Sequence, residues 1–209
     1  MPNWCNNTIE VSHKDPAKIS ALAEAFNKGE FCDHIIPVPE VLKNPETTTS
    51  YGDPDKQAKA DALREAARKA TGYQSWYDFC TSRWGTKWDV GGENGAQVSE
   101  DGLTLTASFE SAWAPPVGVY EEMLEQGYTV KAMYYEPGMC FAGIWEDGCD
   151  DCYQDWGDSQ GAKDTLPQEL DEMFAISESQ AEYEEEERME DDLYRWTKEG
   201  GETLELKSE

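Results

Sequence analysis

Hydrophobic and polar residues alternate near the start of the chain and then take up a helical period. Residues 8–11 (TIEV) alternate polar and apolar side chains, which predicts a short strand. Asp15 and Pro16 then supply an N-cap and a first helical residue, and the apolar residues after them recur at helical spacing. A polar segment rich in turn residues follows, and helical patterns return over residues 55–70 and 75–83.

The middle of the chain returns to strand-like alternation. Four stretches carry a strand pattern, the last two of them joined by a Pro-Gly turn, and one helical pattern lies among them. The strands are predicted in WGTKWDV, LTLTASFESAW, TVKAMYYEPG and MCFAGIWEDG, and the helix in VGVYEEMLEQG. The predicted order is strand, helix, helical insertion (about residues 54–83), strand, strand, helix, strand, strand. This order is a split βαβ arrangement.

The composition changes after Trp145. Residues 1–145 contain 21 acidic and 12 basic residues, whereas residues 146–209 contain 23 acidic and only 5 basic residues. We therefore predict two parts, an α+β domain over 1–145 and an acidic extension over 146–209. Within the extension, GCDDCYQDWGDSQGAKD has no hydrophobic period and is interpreted as a loop, and a helical pattern begins near Pro167.

The overall composition limits the possible partners. With 38% hydrophobic residues, 8 Trp and 10 Tyr, the chain can bury a core. Its formal net charge of -27 repels nucleic acids and anionic membranes at long range and attracts basic protein surfaces. No apolar run approaches the length of a membrane span, and no leader pattern opens the chain, so we expect a cytoplasmic protein that binds neither nucleic acid nor membrane directly.

Five sequence blocks together resemble a known family. They are MPNWCNNTIEV, FCDHIIPVPEVL, GYQSWYDFCTSRWGTKWDV, FESAWAPPV and YYEPGMCFAG. In this order they resemble the YubB-type ferredoxin-like domain family of plasmid, phage and prophage proteins. The resemblance covers about residues 1–145 and implies a ferredoxin-like antiparallel sheet with helices on one face, without implying an iron–sulfur cluster. It implies a mobile-element setting and carries over no enzymatic activity.

The cysteines and histidines offer little catalytic or metal-binding chemistry. Cys149 and Cys152 form a CxxC pair, the weak candidate for a metal site, but structural zinc sites usually present two such pairs and no second pair is present. His13 and His34 lack the sequence spacing of a catalytic triad. Cys5 has no second ligand or base, so we predict that it packs in the core together with its neighbour Trp4. We expect no enzyme and no cofactor.

Two readings of the aromatic segment remain open. Trp84, Lys87, Trp88 and Trp113 could form an aromatic platform with a cation, as in RNA- or ligand-binding ferredoxin-like sheets. The simpler reading is that Trp84 and Trp88, which lie on the same face of the predicted strand, pack together under the helices. A small zinc-binding protein is a further alternative.

An acidic run near the C-terminus is the candidate binding surface. A helix with carboxylates on every turn can approach the charge density of B-DNA. The run is either a solvated helix face or a surface that mimics DNA. On the second reading we expect a non-enzymatic protein that binds a basic surface on a host nucleic-acid-handling protein, such as a CRISPR or restriction complex. The predicted surface consists of Glu182, Glu184, Glu185, Glu186, Glu187, Glu190, Asp191 and Asp192.

Overall fold

The structure is a computed structural model that describes residues 3–49, 52–92 and 95–198. The chain divides into two compact units, Met1–Gln154 and Asp155–Glu209. The first unit has a mixed α+β architecture and the described part of the second consists of helices. No helix within the described residues combines the length and the apolar composition that a membrane crossing requires.

A six-stranded antiparallel sheet forms the framework of the first unit. Its order is β2-β3-β1-β4-β5-β6, with β1 at the centre between β3 and β4. This confirms the α+β class and the antiparallel sheet that the sequence predicted. The strands are β1 (Trp4–Ser12), β2 (Gln97–Val98), β3 (Thr104–Ala112), β4 (Thr129–Glu136), β5 (Phe141–Glu146) and β6 (Cys149–Gln154).

Alternate strand residues and the helices build one hydrophobic core. In β1, Cys5, Asn7, Ile9 and Val11 are buried, while the residues between them are exposed or half-buried. Apolar side chains of the helices and of β3, β4 and β5 join this core, because period-2 alternation gives the sheet one apolar face. The α-helices described in this unit are α1 (Pro16–Lys28), α2 (Phe31–Ile35), α3 (Pro54–Thr71), α4 (Trp76–Arg83) and α5 (Val117–Glu125), and two 3-10 helices, Glu40–Leu42 and Pro45–Thr47, lie between α2 and α3.

Local sequence signals explain the helix boundaries. The Asp15 side chain accepts a hydrogen bond from the Ala17 amide at the start of α1, and Gly29 ends that helix with φ of 74°. Asp53 and Ser75 cap α3 and α4 in the same way. The two helices α3 and α4 lie between α1 and β2 along the chain.

Two predicted local structures are wrong. Residues 84–90, predicted as a strand, form an irregular loop, because core packing and hydrogen bonds to other segments hold this stretch and none of the described strands pairs with it. The segment of residues 148–164, predicted as a loop, contains a short helix that begins at Ser159 and, over Cys149–Gln154, the strand β6. Among the described strands β6 pairs with β5 alone, and its exposed side chains are mostly polar, so it has no hydrophobic alternation to reveal it.

The second unit is a small helical assembly around Trp156. Its helices are α6 (Ser159–Thr165), α7 (Gln168–Phe174) and α8 (Ile176–Lys198). Trp156, Leu170 and Ile176 are buried, and the Trp156 indole donates a hydrogen bond to the Gln180 side chain at 3.0 Å. The far part of α8 presents apolar side chains to solvent, since Met189 and Leu193 are both exposed.

Candidate functional site

Helix α8 carries the predicted acidic surface. All eight predicted carboxylates lie between residues 182 and 192 of this helix, and all except Glu184 belong to exposed residues. Eleven helical residues span about 15 Å, so the carboxylates follow one another at about 2 Å of helix axis per charge. B-DNA carries one charge per about 1.7 Å, so α8 approaches the linear charge density of a duplex.

Glu184 differs from the other acidic residues because its carboxylate supports the fold of the second unit. It accepts one hydrogen bond from the Ser159 amide and another from the Ser159 hydroxyl, each at 2.7 Å. Ser159 is the first residue of α6, so the negative charge lies at the helix end where amide groups need acceptors. Glu184 is therefore a structural residue, and the remaining seven form what we call the acidic surface.

The acidic surface has few internal partners. The Glu187 carboxylate accepts a hydrogen bond from the Tyr183 hydroxyl at 3.0 Å, and Glu185 pairs with Arg188 at 3.4 Å. Exposed ion pairs of this kind contribute little and neutralise only one of the charges. Like charges repel along this helix, so a cationic partner would relieve an unfavourable interaction.

A second candidate surface is built on the loop of residues 84–90. Trp84 is buried in the core, and its indole donates a hydrogen bond to the Ile36 carbonyl at 2.9 Å. The buried Thr86 hydroxyl donates to the Ala112 carbonyl at 3.1 Å and accepts from the Ala112 amide at 3.0 Å, which ties the loop to the end of β3.

Asp89 fixes the far end of the same loop. Its carboxylate accepts hydrogen bonds from the amides of Cys32, Asp33 and Val90, at 2.7, 2.9 and 2.8 Å respectively. Burial nevertheless raises the pKa of Asp89, because desolvation of the carboxylate outweighs these hydrogen bonds. The loop is therefore anchored on both sides of Lys87, whose side chain is directed to the surface aromatic residues.

Lys87 lies among exposed aromatic rings. Its ammonium nitrogen is 4.2 Å from the ring centroid of Trp88, 5.5 Å from that of Trp113 and 5.8 Å from that of Tyr77. Trp4 packs on Trp88 with the ring centroids 5.9 Å apart. Each of the four aromatic residues is between 38% and 41% exposed. We call these five residues the aromatic–lysine cluster.

The cluster corrects the sequence interpretation in two ways. Trp84 is buried and Trp88 is exposed, so the two tryptophans do not pack together under the helices. The sequence predicts Trp4 as a packing residue. In the structure, strand alternation places its side chain on the face of the sheet away from the buried Cys5, where it is exposed. The same parity rule could have identified Trp4 from the sequence, whereas the fold is needed to place Tyr77 beside Lys87.

Trp113 occupies an unusual backbone conformation. Its φ is 72°, in the left-handed region that bulky side chains rarely adopt. Its amide donates a hydrogen bond to the Asn3 carbonyl at 2.9 Å, which joins the residue after β3 to the residue before β1. Residues held in such conformations cluster at active sites, ligand-binding sites and switch regions.

The CxxC pair does not form a metal site. Cys149 and Cys152 lie three residues apart in β6, so their side chains point to opposite faces of the sheet at positions about 10 Å apart along the strand. One metal ion cannot bind both thiols in this arrangement. No group of three or more His, Cys, Asp or Glu residues within the described ranges is arranged to hold a metal.

Cys5 and His13 fill structural roles. Cys5 is fully buried, and burial raises its pKa to about 12, which leaves it unsuited to nucleophilic chemistry. The Nδ1 atom of His13 accepts a hydrogen bond from the Asp15 amide at 2.9 Å. Within the described residues, neither histidine side chain hydrogen-bonds to a serine or cysteine, so the pair required to activate a nucleophile is not assembled there.

No protein-family model matches the chain, and no curated protein matches it. One solved structure is similar: protein api92 from Yersinia pseudotuberculosis, described by the family model DUF1281. It has 11% sequence identity and a TM-score of 0.38, and the match covers 74% of this chain and 98% of that chain.

Proposed function

We propose that this chain is a non-enzymatic acidic interaction protein that binds a basic surface on a nucleic-acid-handling protein. The observation that carries the proposal is the acidic surface of α8, where seven exposed carboxylates follow one another at nearly the spacing of DNA phosphates. By occupying a basic cleft, the helix competes with the nucleic acid that the cleft normally binds. The specific form of the proposal is inhibition of a CRISPR or restriction complex by DNA mimicry.

The proposal extends to the setting of the protein. We propose a ferredoxin-like domain of the YubB type, encoded by a plasmid, phage or prophage and acting in the bacterial cytoplasm. The order β2-β3-β1-β4, with α1 and α5 as connecting helices, supports the ferredoxin-like assignment because it is the arrangement of a split βαβ repeat. A mobile element gains directly from blocking a host defence protein, which agrees with an acidic partner-binding helix.

Electrostatics supplies both the attraction and its test. A chain with a net charge of -27 accelerates encounter with a cationic partner at low salt, and added salt screens that attraction over a distance of about 10 Å at 0.1 M. Binding should therefore weaken steeply as salt rises. Neutralising the acidic surface should reduce both the affinity and its dependence on salt.

The experiment is affinity capture from a bacterial lysate on the immobilised protein at two salt concentrations, with the bound proteins identified by mass spectrometry. The test variant replaces the six exposed acids at 185–187 and 190–192 by their amides and leaves Glu184 unchanged, because Glu184 stabilises the fold. A matched control replaces six exposed acids of the first unit in the same way. We expect nucleic-acid-binding proteins on the wild type and the control, lost from the variant and released by duplex DNA. Equal capture by the variant would show that α8 is not the binding surface.

A further inference from the structure

The aromatic–lysine cluster has no role in the function proposed for α8. It belongs entirely to the first unit and consists of Trp4, Tyr77, Lys87, Trp88 and Trp113. We propose that it binds a small ligand that combines a flat aromatic ring with an anionic group, of the nucleoside monophosphate class. The ring stacks on the exposed aromatic side chains and the anionic group pairs with Lys87.

The exposure of the rings is the first argument. Three tryptophans and one tyrosine meet at one place, each with roughly two fifths of its surface open to solvent. Large aromatic side chains gain most from burial, so an exposed group of them marks a surface that gains stability when it is covered. Flat rings also favour a flat ligand, because stacking of a base on an aromatic side chain strengthens binding without requiring a particular base.

Lys87 gives the surface its charge preference. Its ammonium group contacts three rings, and within the described part of the chain no carboxylate lies within ion-pair distance of it. An ammonium group held over aromatic rings keeps its positive charge available to a ligand. In a strongly acidic protein such an uncompensated lysine selects an anion at this point.

A recess next to the cluster has matching chemistry. Its volume is about 380 Å³, and its lining includes Tyr77 and Lys87 together with Arg64, Gln74 and Ser75. None of the described residues that line it is acidic. Arg64 is already engaged by Asp61 and by two backbone carbonyls, which leaves Lys87 as the principal cation for an incoming phosphate.

The cluster is held in place before any ligand arrives. Thr86 fixes the loop to β3, Asp89 fixes it to the start of α2, and Trp113 is held in its left-handed conformation by a hydrogen bond to Asn3. A rigid site loses less conformational entropy when it binds, so a small ligand can be recognised by few contacts.

The net charge favours a small ligand over a nucleic-acid strand. A polyanionic strand meets long-range repulsion from a chain of net charge -27, whereas a monophosphate brings only one or two charges. A free nucleotide and a single-stranded nucleic acid nevertheless offer the same ring and phosphate. The test therefore includes both sources.

The experiment follows the indole N–H signals of the full-length protein by two-dimensional NMR. The protein is titrated separately with adenosine 5′-monophosphate, adenosine, inorganic phosphate and a short single-stranded oligonucleotide. We expect the monophosphate to shift the signals of the exposed tryptophans but not that of the buried Trp145, adenosine to bind more weakly, and phosphate alone to cause no indole shift. Stronger binding by the oligonucleotide at equal nucleotide concentration would assign the ligand to a strand, and weaker binding would assign it to a free nucleotide.

Two variants and two matched controls complete the test. Trp88→Ala should weaken binding of the monophosphate about tenfold through lost stacking. Lys87→Ala should weaken it about fivefold, to the level of adenosine, through the lost charged contact. The exposed Tyr183→Ala and Lys56→Ala should bind as the wild type does. The proposal would be overturned if the monophosphate caused no indole shift. It would also be overturned if Lys87→Ala and Trp88→Ala, with the spectra of folded proteins, bound the monophosphate as tightly as the wild type.

Discussion

Glu184 is a structural residue on the same helix that carries the acidic surface, and Glu184→Ala tests that distinction. The substitution removes two 2.7 Å hydrogen bonds to Ser159 and a negative charge at the start of α6. Hydrogen bonds to a charged group contribute about 1.5–3 kcal/mol, and a charge at a helix end contributes about 0.3–1 kcal/mol. Because the site is only partly buried and Ala relieves like-charge repulsion on α8, we expect a loss of about 2 kcal/mol.

Hydrogen–deuterium exchange of the α6 peptide measures this loss where it occurs. A loss of about 2 kcal/mol corresponds to about 30-fold faster exchange of amides protected by local opening. Glu185→Ala is the matched control, since it also replaces a glutamate by alanine on α8 but removes only a 3.4 Å exposed pair with Arg188. Its α6 amides should exchange at nearly the wild-type rate. Equal exchange in the two variants would refute the structural role of Glu184.

Three further predictions concern the first unit. A thiol reagent at pH 8 should label the three exposed cysteines rapidly and the three buried ones only after denaturation. Burial raises the pKa of Cys5 and Cys80 to about 12, and their reactive thiolates form only as the pH approaches that value. Rapid labelling of all six cysteines would contradict this burial. Tyr120→Phe should leave the free energy of unfolding, measured by urea denaturation, unchanged or raise it by up to about 1 kcal/mol. The reason is that the buried hydroxyl has no hydrogen-bond partner within the described residues. A clear decrease in the free energy of unfolding would show that the hydroxyl does have a partner. Gly143→Ala should lower the urea concentration at the midpoint of unfolding, because the new methyl group would collide with the Tyr134 ring that crosses this position. An unchanged midpoint would show that the ring can move freely.

The sequence predicted the elements whose signals are local. Hydrophobic alternation identified β1, and the Asp-Pro start identified α1, because a strand period and a helix cap are encoded within a few residues. The loop of residues 84–90 misled the prediction for a physical reason. Its inward side chains, Trp84, Thr86 and Val90, alternate as in a strand but are anchored by core packing and hydrogen bonds to other segments rather than by a strand ladder.

The candidate sites were predictable to different degrees. The acidic surface is contiguous in sequence, so its carboxylates could be identified directly, but the bonding of Glu184 to Ser159 depends on the fold of α6 against α8. The aromatic–lysine cluster joins Trp4 and Tyr77 to the loop from distant positions in the chain. Only the pairing of β1 with β3 and the position of α4 bring those rings to Lys87, so local patterns could not reveal the complete site.

Competition with DNA tests the central claim most directly. A nucleic-acid-binding protein captured from the lysate is bound to a fluorescently labelled DNA duplex, and the full-length acidic protein is titrated in while the fluorescence anisotropy is recorded. The account predicts that the anisotropy falls to that of free DNA with the wild type and that the variant neutralised at residues 185–187 and 190–192 displaces the DNA only at far higher concentration. An anisotropy that rises, as a ternary complex would cause, or equal displacement by both proteins would contradict DNA mimicry by α8.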